Sequence, residues 1–138
     1  NAGDTVTELA AAGNDLVNER LTREQYEALP HLVTFVRPQP DIYSFADDFV
    51  YKMNIPRRII GATANFLLAP FMLQQTNAVL LLQERFALRI RDAAQIKLLE
   101  PPFEIPPVEF DLVWNPRHQN DPPAVWMRPR LREIALNL

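Results

Sequence analysis

The sequence predicts an α/β fold in which a parallel or mixed sheet is flanked by helices. Three observations lead there. Short apolar, β-rich runs at 31–36, 57–63, 78–82 and 96–99 alternate with stretches of helical periodicity, and that alternation is the mark of βαβ units. The run at 78–82 is apolar throughout, as expected of a strand covered on both faces. Thirteen Pro against three Gly punctuate the chain; lacking an N–H and fixed in φ, proline marks where elements stop.

Taken in order, residues 1–20 carry scattered apolar positions, and Leu9-Ala10-Ala11-Ala12-Gly13 reads as a short helix ended by glycine. Thr22-Arg23-Glu24-Gln25 has capping-box spacing and opens a helix that stops before Pro30. The run 31–36 is a strand, closed by Arg37-Pro38-Gln39-Pro40. Ser44 caps a helix with Asp47 in its first turn and Phe45, Ala46, Phe49, Val50 and Met53 on one face; Asn54 and Pro56 end it. A strand over 57–63 follows. Asn65 then turns the chain into a helix that begins near Pro70 and ends at Asn77. After the apolar strand, Glu84–Ala94 is helical with Phe86, Ala87, Leu88 and Ile90 on its apolar side, and Ile96–Leu99 is a strand again. From Glu100 the rhythm changes: Pro101-Pro102 and Pro106-Pro107 bracket an extended passage, and 108–114 alternates as a further strand. Asp121 caps a last helix with Pro122 and Pro123 in its first turn, and Pro129 predicts a kink or restart within it.

Composition narrows the chemistry. With 138 residues, 48% of them hydrophobic, the chain is long enough for a real core. A net charge of -3 speaks against a phosphate-tracking surface along the whole chain. The absence of Cys excludes disulfides, thiolate nucleophiles and Cys-ligated metals. His31 and His118 have no metal-ligand spacing, and Gly3, Gly13 and Gly61 cannot make a glycine-rich phosphate loop. No metal and no cofactor is expected. The longest apolar stretch is interrupted by Pro70 and is too short to span a bilayer. No secretory pattern opens the sequence, so a cytoplasmic location without membrane contact is the expectation.

The C-terminal half carries a recognisable pattern: Phe110-Asp111-Leu112-Val113-Trp114-Asn115-Pro116-Arg117-His118, then Asp121-Pro122, then Trp126-Met127-Arg128. It resembles the C-terminal part of LysR-type transcriptional regulators, most closely the branch of the nodulation, naphthalene and nitroaromatic regulators. Arg20-Leu21-Thr22, the Arg57-Arg58 pair, Asn65-Phe66-Leu67 and Pro70 agree in order, so the likeness covers residues 20–138. Asn115, Pro129 and Gln83 depart from the family's usual residues. The resemblance implies an effector sensor of the periplasmic-binding-protein type II kind, in which two α/β subdomains clamp a small molecule, often an aromatic acid. On this basis residues 1–20 are an unmatched N-terminal segment, 21–100 the second effector-binding subdomain, and 101–138 a return segment with a C-terminal helix packing on the first subdomain. Part of that first subdomain, the winged helix-turn-helix and the linker helix have no counterpart here. Promoter DNA would be met only through that missing helix-turn-helix, and homo-oligomers form through the sensor domains.

In an open α/β sheet, ligands bind beyond the carboxyl ends of the strands. Here those ends offer Thr34, Phe35, Val36, Arg37, Asn65, Phe66 and Gln83, with aromatic walls, helix N-termini that favour a carboxylate, and a guanidinium fork on Arg37. The same residues also fit a plain structural role, with the two Phe in the core, Asn65 as a cap and Arg37 solvated. No Ser–His–acid constellation and no paired carboxylates stand out: Asp47 and Asp48 are adjacent on a helix and point apart. A catalytic set is therefore not predicted, and no enzyme is expected. The leading reading is the effector-sensing part of a LysR-type regulator. The alternative is a stand-alone small-molecule-binding α/β protein without DNA-binding activity.

Overall fold

The computed structural model describes residues 2–36 and 44–137. The chain divides into two compact units, one of residues 5–108 and the other of residues 1–4 with 109–138.

The larger unit is a five-stranded mixed sheet with helices on both faces. Its strands are β2 (Val6–Ala11), β3 (Pro30–Thr34), β4 (Arg58–Thr63), β5 (Val79–Gln83) and β6 (Ile96–Leu99), in the order β4-β3-β5-β2-β6. β3 pairs in parallel with β4 and β5, whereas β2 runs antiparallel to both β5 and β6. Strand β2 overturns the helix expected around Leu9-Ala10-Ala11. Alanine favours a helix in isolation, but here the segment lies between two strands: Leu9 is opposite Leu80 on one side and Leu98 on the other. Tertiary pairing overrides the local preference.

Two core layers sit on the two faces. Leu9, Ala11, Leu80 and Leu82 point to one, against Ala69, Leu73, Ala87 and Ala94. Ala10, Val79 and Leu81 point to the other, against Tyr26, Leu29, Ala46 and Val50. This two-sided cover is why β5 reads as an unbroken apolar run. The first layer is closed by helix α3 (Glu84–Ala94) and a 3-10 turn over Ala69–Leu73, shorter than the helix expected up to Asn77. Leu88, expected on the apolar side of α3, is instead exposed.

The second layer is closed by α1 (Arg23–Ala28) and α2 (Phe45–Lys52). The capping box of α1 is present in both directions: Gln25 N–H donates to Thr22 Oγ1 at 3.1 Å and Thr22 N–H to Gln25 Oε1 at 2.9 Å. On α2, Ala46 and Val50 are buried as expected, but Phe45 and Met53 are exposed. The proline-rich passage 100–107 lays Phe103 and Ile105 against this layer, with Phe103 edge-on to Tyr26 at 5.0 Å.

In the smaller unit, β1 (Ala2–Asp4) and β7 (Val108–Phe110) form a two-stranded sheet, followed by helix α4 (Pro122–Leu136). β7 stops well short of Trp114, whose indole N–H donates to Gln119 Oε1 at 2.6 Å and so belongs to the following turn. Asp121 holds the N-cap position of α4 without a side-chain cap bond; its carboxylate pairs with His118 Nδ1 instead. α4 runs through Pro129 without a restart. The proline leaves the Val125 carbonyl without its usual N–H partner, and the guanidinium groups of Arg128 and Arg130 donate to the neighbouring carbonyls of Ala124 and Trp126.

Candidate functional site

The carboxyl ends of β3, β4 and β5 lie at one end of the sheet, and the order of the strands follows from their pairing: Thr34 is the register partner of Thr63, and β5 lies on the other side of β3. Phe35, half-buried, continues past β3 and donates its N–H to the Thr63 carbonyl at 3.1 Å. Val36 is exposed. Asn65 is exposed and caps the turn after β4, its Oδ1 accepting from Leu68 N–H at 3.0 Å. Phe66 is half-buried and packs on the first core layer. Gln83 ends β5 and occupies the N-cap position of α3 without a side-chain cap bond. Arg37 lies outside the described residues. The β3–β4 pairing thus gathers Thr34, Phe35 and the Thr63–Asn65 turn, and Gln83 ends the strand next to β3.

Thr34 is fully buried, and both its backbone N–H and its hydroxyl are bound to the Asp47 carboxylate, at 3.0 and 3.2 Å. Ser44 Oγ donates to the same oxygen at 2.9 Å. The other oxygen accepts from Arg57 Nη1 at 2.6 Å, and Arg57 Nη2 also reaches the Asp47 carbonyl at 3.2 Å. The side chains of Arg57 and Asp47 are 5% and 0% exposed. Asp47 therefore ties the end of β3, the first turn of α2 and the residue before β4 into one knot. It fixes the strand end geometrically, and it removes Thr34's polar groups from contact with anything else.

The same layer holds three further titratable groups. Glu8 is fully buried, neither carboxylate oxygen has a hydrogen-bond partner among the described residues, and burial followed by the nearby Asp47 charge pushes its pKa well above the usual carboxylate range. Tyr26 is buried with its hydroxyl close to Arg57 but without a hydrogen bond of good geometry, and burial raises its pKa. His31 Nε2–H donates to the Tyr26 carbonyl at 2.7 Å; burial lowers its pKa to about 4, so the ring is neutral.

Sequence reasoning missed Glu8, because the segment was read as a helix, and placed Asp47 only as a first-turn carboxylate. The Asp47–Arg57 pairing had no local signal, since ten residues separate the two. His31, packed at a strand start, is where it was expected. Among the described residues there is no group of three metal-ligating side chains and no helix long and apolar enough to cross a membrane.

An order of strands with one antiparallel member, helices on both faces and polar strand ends at one edge defines a ligand-sensing regulatory domain, and the comparisons give the class. The fold is that of regulatory domains of LysR-type transcriptional regulators: the regulatory domain of MexT from Pseudomonas aeruginosa superposes with a TM-score of 0.70 at 22% identity, over 94% of this chain and 61% of that one. HinK, a LysR family regulator from the same organism, gives a TM-score of 0.69 at 12% identity, over 99% of this chain and 46% of that one. More particularly, the curated relatives are regulators of nodulation type. Nodulation protein D 3 of Rhizobium leguminosarum bv. phaseoli is 25% identical over 136 residues, 98% of this chain and 44% of the relative. The HTH-type transcriptional regulator SyrM of Rhizobium meliloti is 24% identical over 132 residues, 96% of this chain and 40% of the relative. The chain thus spans less than half the length of these two relatives. No family profile matches the sequence. The relatives are regulators of transcription rather than enzymes.

Proposed function

We propose that the chain is the effector-sensing part of a LysR-type regulator, and that a small carboxylic acid binds at the carboxyl ends of β3, β4 and β5. The observation that carries this reading is the Asp47 knot, which holds the end of β3 rigidly while Phe35, Asn65, Phe66 and Gln83 remain at the same edge with part of their surface accessible. Phe35 and Phe66 suit an aromatic acid; Val36 adds an apolar contact, and Arg37 would pair with the carboxylate. Thr34 acts as a support rather than as a ligand contact. Effector binding then modulates DNA-dependent transcription, with promoter DNA contacted by a separate helix-turn-helix segment and homo-oligomers assembled through the sensor part, in the cytoplasm.

The test is calorimetric titration of the 138-residue chain with benzoate and salicylate. Saturable binding is expected, and Arg37→Ala should weaken it by about 2 kcal/mol, the scale of a charge-assisted hydrogen bond. An unchanged titration removes Arg37 from the site, and no binding of either acid overturns the proposed effector class. The chain by itself should not shift promoter DNA; a salt-sensitive, sequence-specific shift would overturn the division of labour.

A further inference from the structure

A second cleft lies at the opposite end of the sheet, where β5 and β6 begin and α3 ends. It has a volume of about 700 Å3, and its walls include Asn14, Gln75, Asn77, Arg91, Asp92 and Gln95. That volume is within the range of small-molecule sites.

Asn14 is the informative residue. It is only 3% exposed. Its Oδ1 accepts from Leu16 N–H at 3.0 Å and its carbonyl from Lys97 Nζ at 2.6 Å, so the orientation of the carboxamide is set by a bond only an oxygen can make. The remaining Nδ2 is buried with no acceptor among the described residues. A donor in that condition carries an uncompensated desolvation cost, which an acceptor arriving from the cleft side would remove.

The rest of the wall is polar in both senses. Gln75 and Gln95 hold backbone φ angles of 58° and 49°, a region glycine adopts more easily, yet both carry amide side chains at the cleft. Arg91 and Asp92 stand side by side with a contact of 3.4 Å, and their side chains are 56% and 95% exposed; such a pair is weak and can be bridged. Their charges cancel. A carboxylate would meet Asp92 and the carbonyl end of α3, where the helix dipole is negative, and an ammonium would meet Arg91. Hydroxyl groups donate and accept alike.

We propose that this cleft binds a small neutral polyhydroxyl compound of monosaccharide size, one hydroxyl oxygen accepting from Asn14 Nδ2 and others bridging Arg91 and Asp92. The site is separate from the strand-end site and does not depend on that reading.

The experiment is a 1H–15N NMR titration of the 138-residue chain with glucose and with xylitol, following the Asn14 side-chain NH2 and the Arg91 Nε–H. Saturable shifts in the millimolar range are expected for at least one of them. Asn14→Asp keeps the acceptor for Leu16 while removing the donor, and should weaken binding about tenfold, the equivalent of one hydrogen bond. Gln95→Gly eases the left-handed backbone and so folds at least as well; it should still weaken binding, which keeps the test decisive if Asn14→Asp does not fold. Shifts that grow linearly without saturating, binding unchanged in the variants that fold, or a stronger saturable response to acetate or methylammonium would each overturn the proposal.

Discussion

Replacing Asp47 by alanine removes at once the acceptor of Thr34 N–H, Thr34 Oγ1, Ser44 Oγ and Arg57 Nη1. The guanidinium of Arg57 is then left with its charge in a layer where its side chain is 5% exposed. Breaking one side of a buried ion pair costs about 3–5 kcal/mol, because the orphaned charge keeps its desolvation penalty. For a domain of this size that amounts to a fall in melting temperature of roughly 15–30 °C. The double variant Asp47→Leu with Arg57→Met removes both charges and keeps apolar volume, and should recover all but about 1–2 kcal/mol of the loss. Arg20→Ala, which breaks the exposed 3.5 Å pair with Glu100, is the control and should stay within about 0.5 kcal/mol of the parent. Urea denaturation followed by far-UV circular dichroism gives all the free energies. A single-variant loss below about 1 kcal/mol, or a double variant as unstable as Asp47→Ala, would refute the reasoning that the knot organises the end of β3.

Glu8→Gln should stabilise the protein at pH 8 by about 1–3 kcal/mol. The folded state holds the Glu8 proton more tightly than the unfolded state, so its contribution is present at acid pH and lost as pH rises; a variant with the parent's pH profile would contradict this. His31 titrates in the opposite sense. With a folded pKa of about 4 against an ordinary 6.5, its contribution is complete above pH 6.5 and about 3 kcal/mol is lost as pH falls to 4, a slope that His31→Gln should remove from the urea midpoint measured between those limits. Thr22→Ala, which deletes one half of the α1 capping box, should cost about 1 kcal/mol in the same assay.

The local grammar of the chain was legible and its long-range pairings were not. Thr22 with Gln25, Ser44 with Asp47, and the unbroken apolar run of β5 are read within a few residues of each other, and all three hold in the structure. β2 was misread because its alanine content speaks for a helix until two strands from far down the chain, β5 and β6, take its edges. The Asp47–Arg57 pair and the burial of Glu8 are invisible for the same reason, since each depends on which elements the sheet brings together. At the strand ends, the residue types Phe35, Asn65, Phe66 and Gln83 were findable from the rule about carboxyl ends. That Thr34 is tied to Asp47 could not be seen without the fold.

The insertion of β2 between β5 and β6 also sets a timetable. Val6 pairs with Gln83 and Glu8 with Leu99, contacts that span most of the unit and make its topology slow to assemble. During vectorial synthesis the earliest strand of the sheet waits with both edges bare until the last has left the ribosome. The intermediate that β3, β4 and β5 can form in the meantime exposes the edge of β5 that β2 must cover. A nascent chain halted before Ile96 therefore carries an open, apolar strand edge, the kind of surface that chaperones capture and that otherwise seeds aggregation.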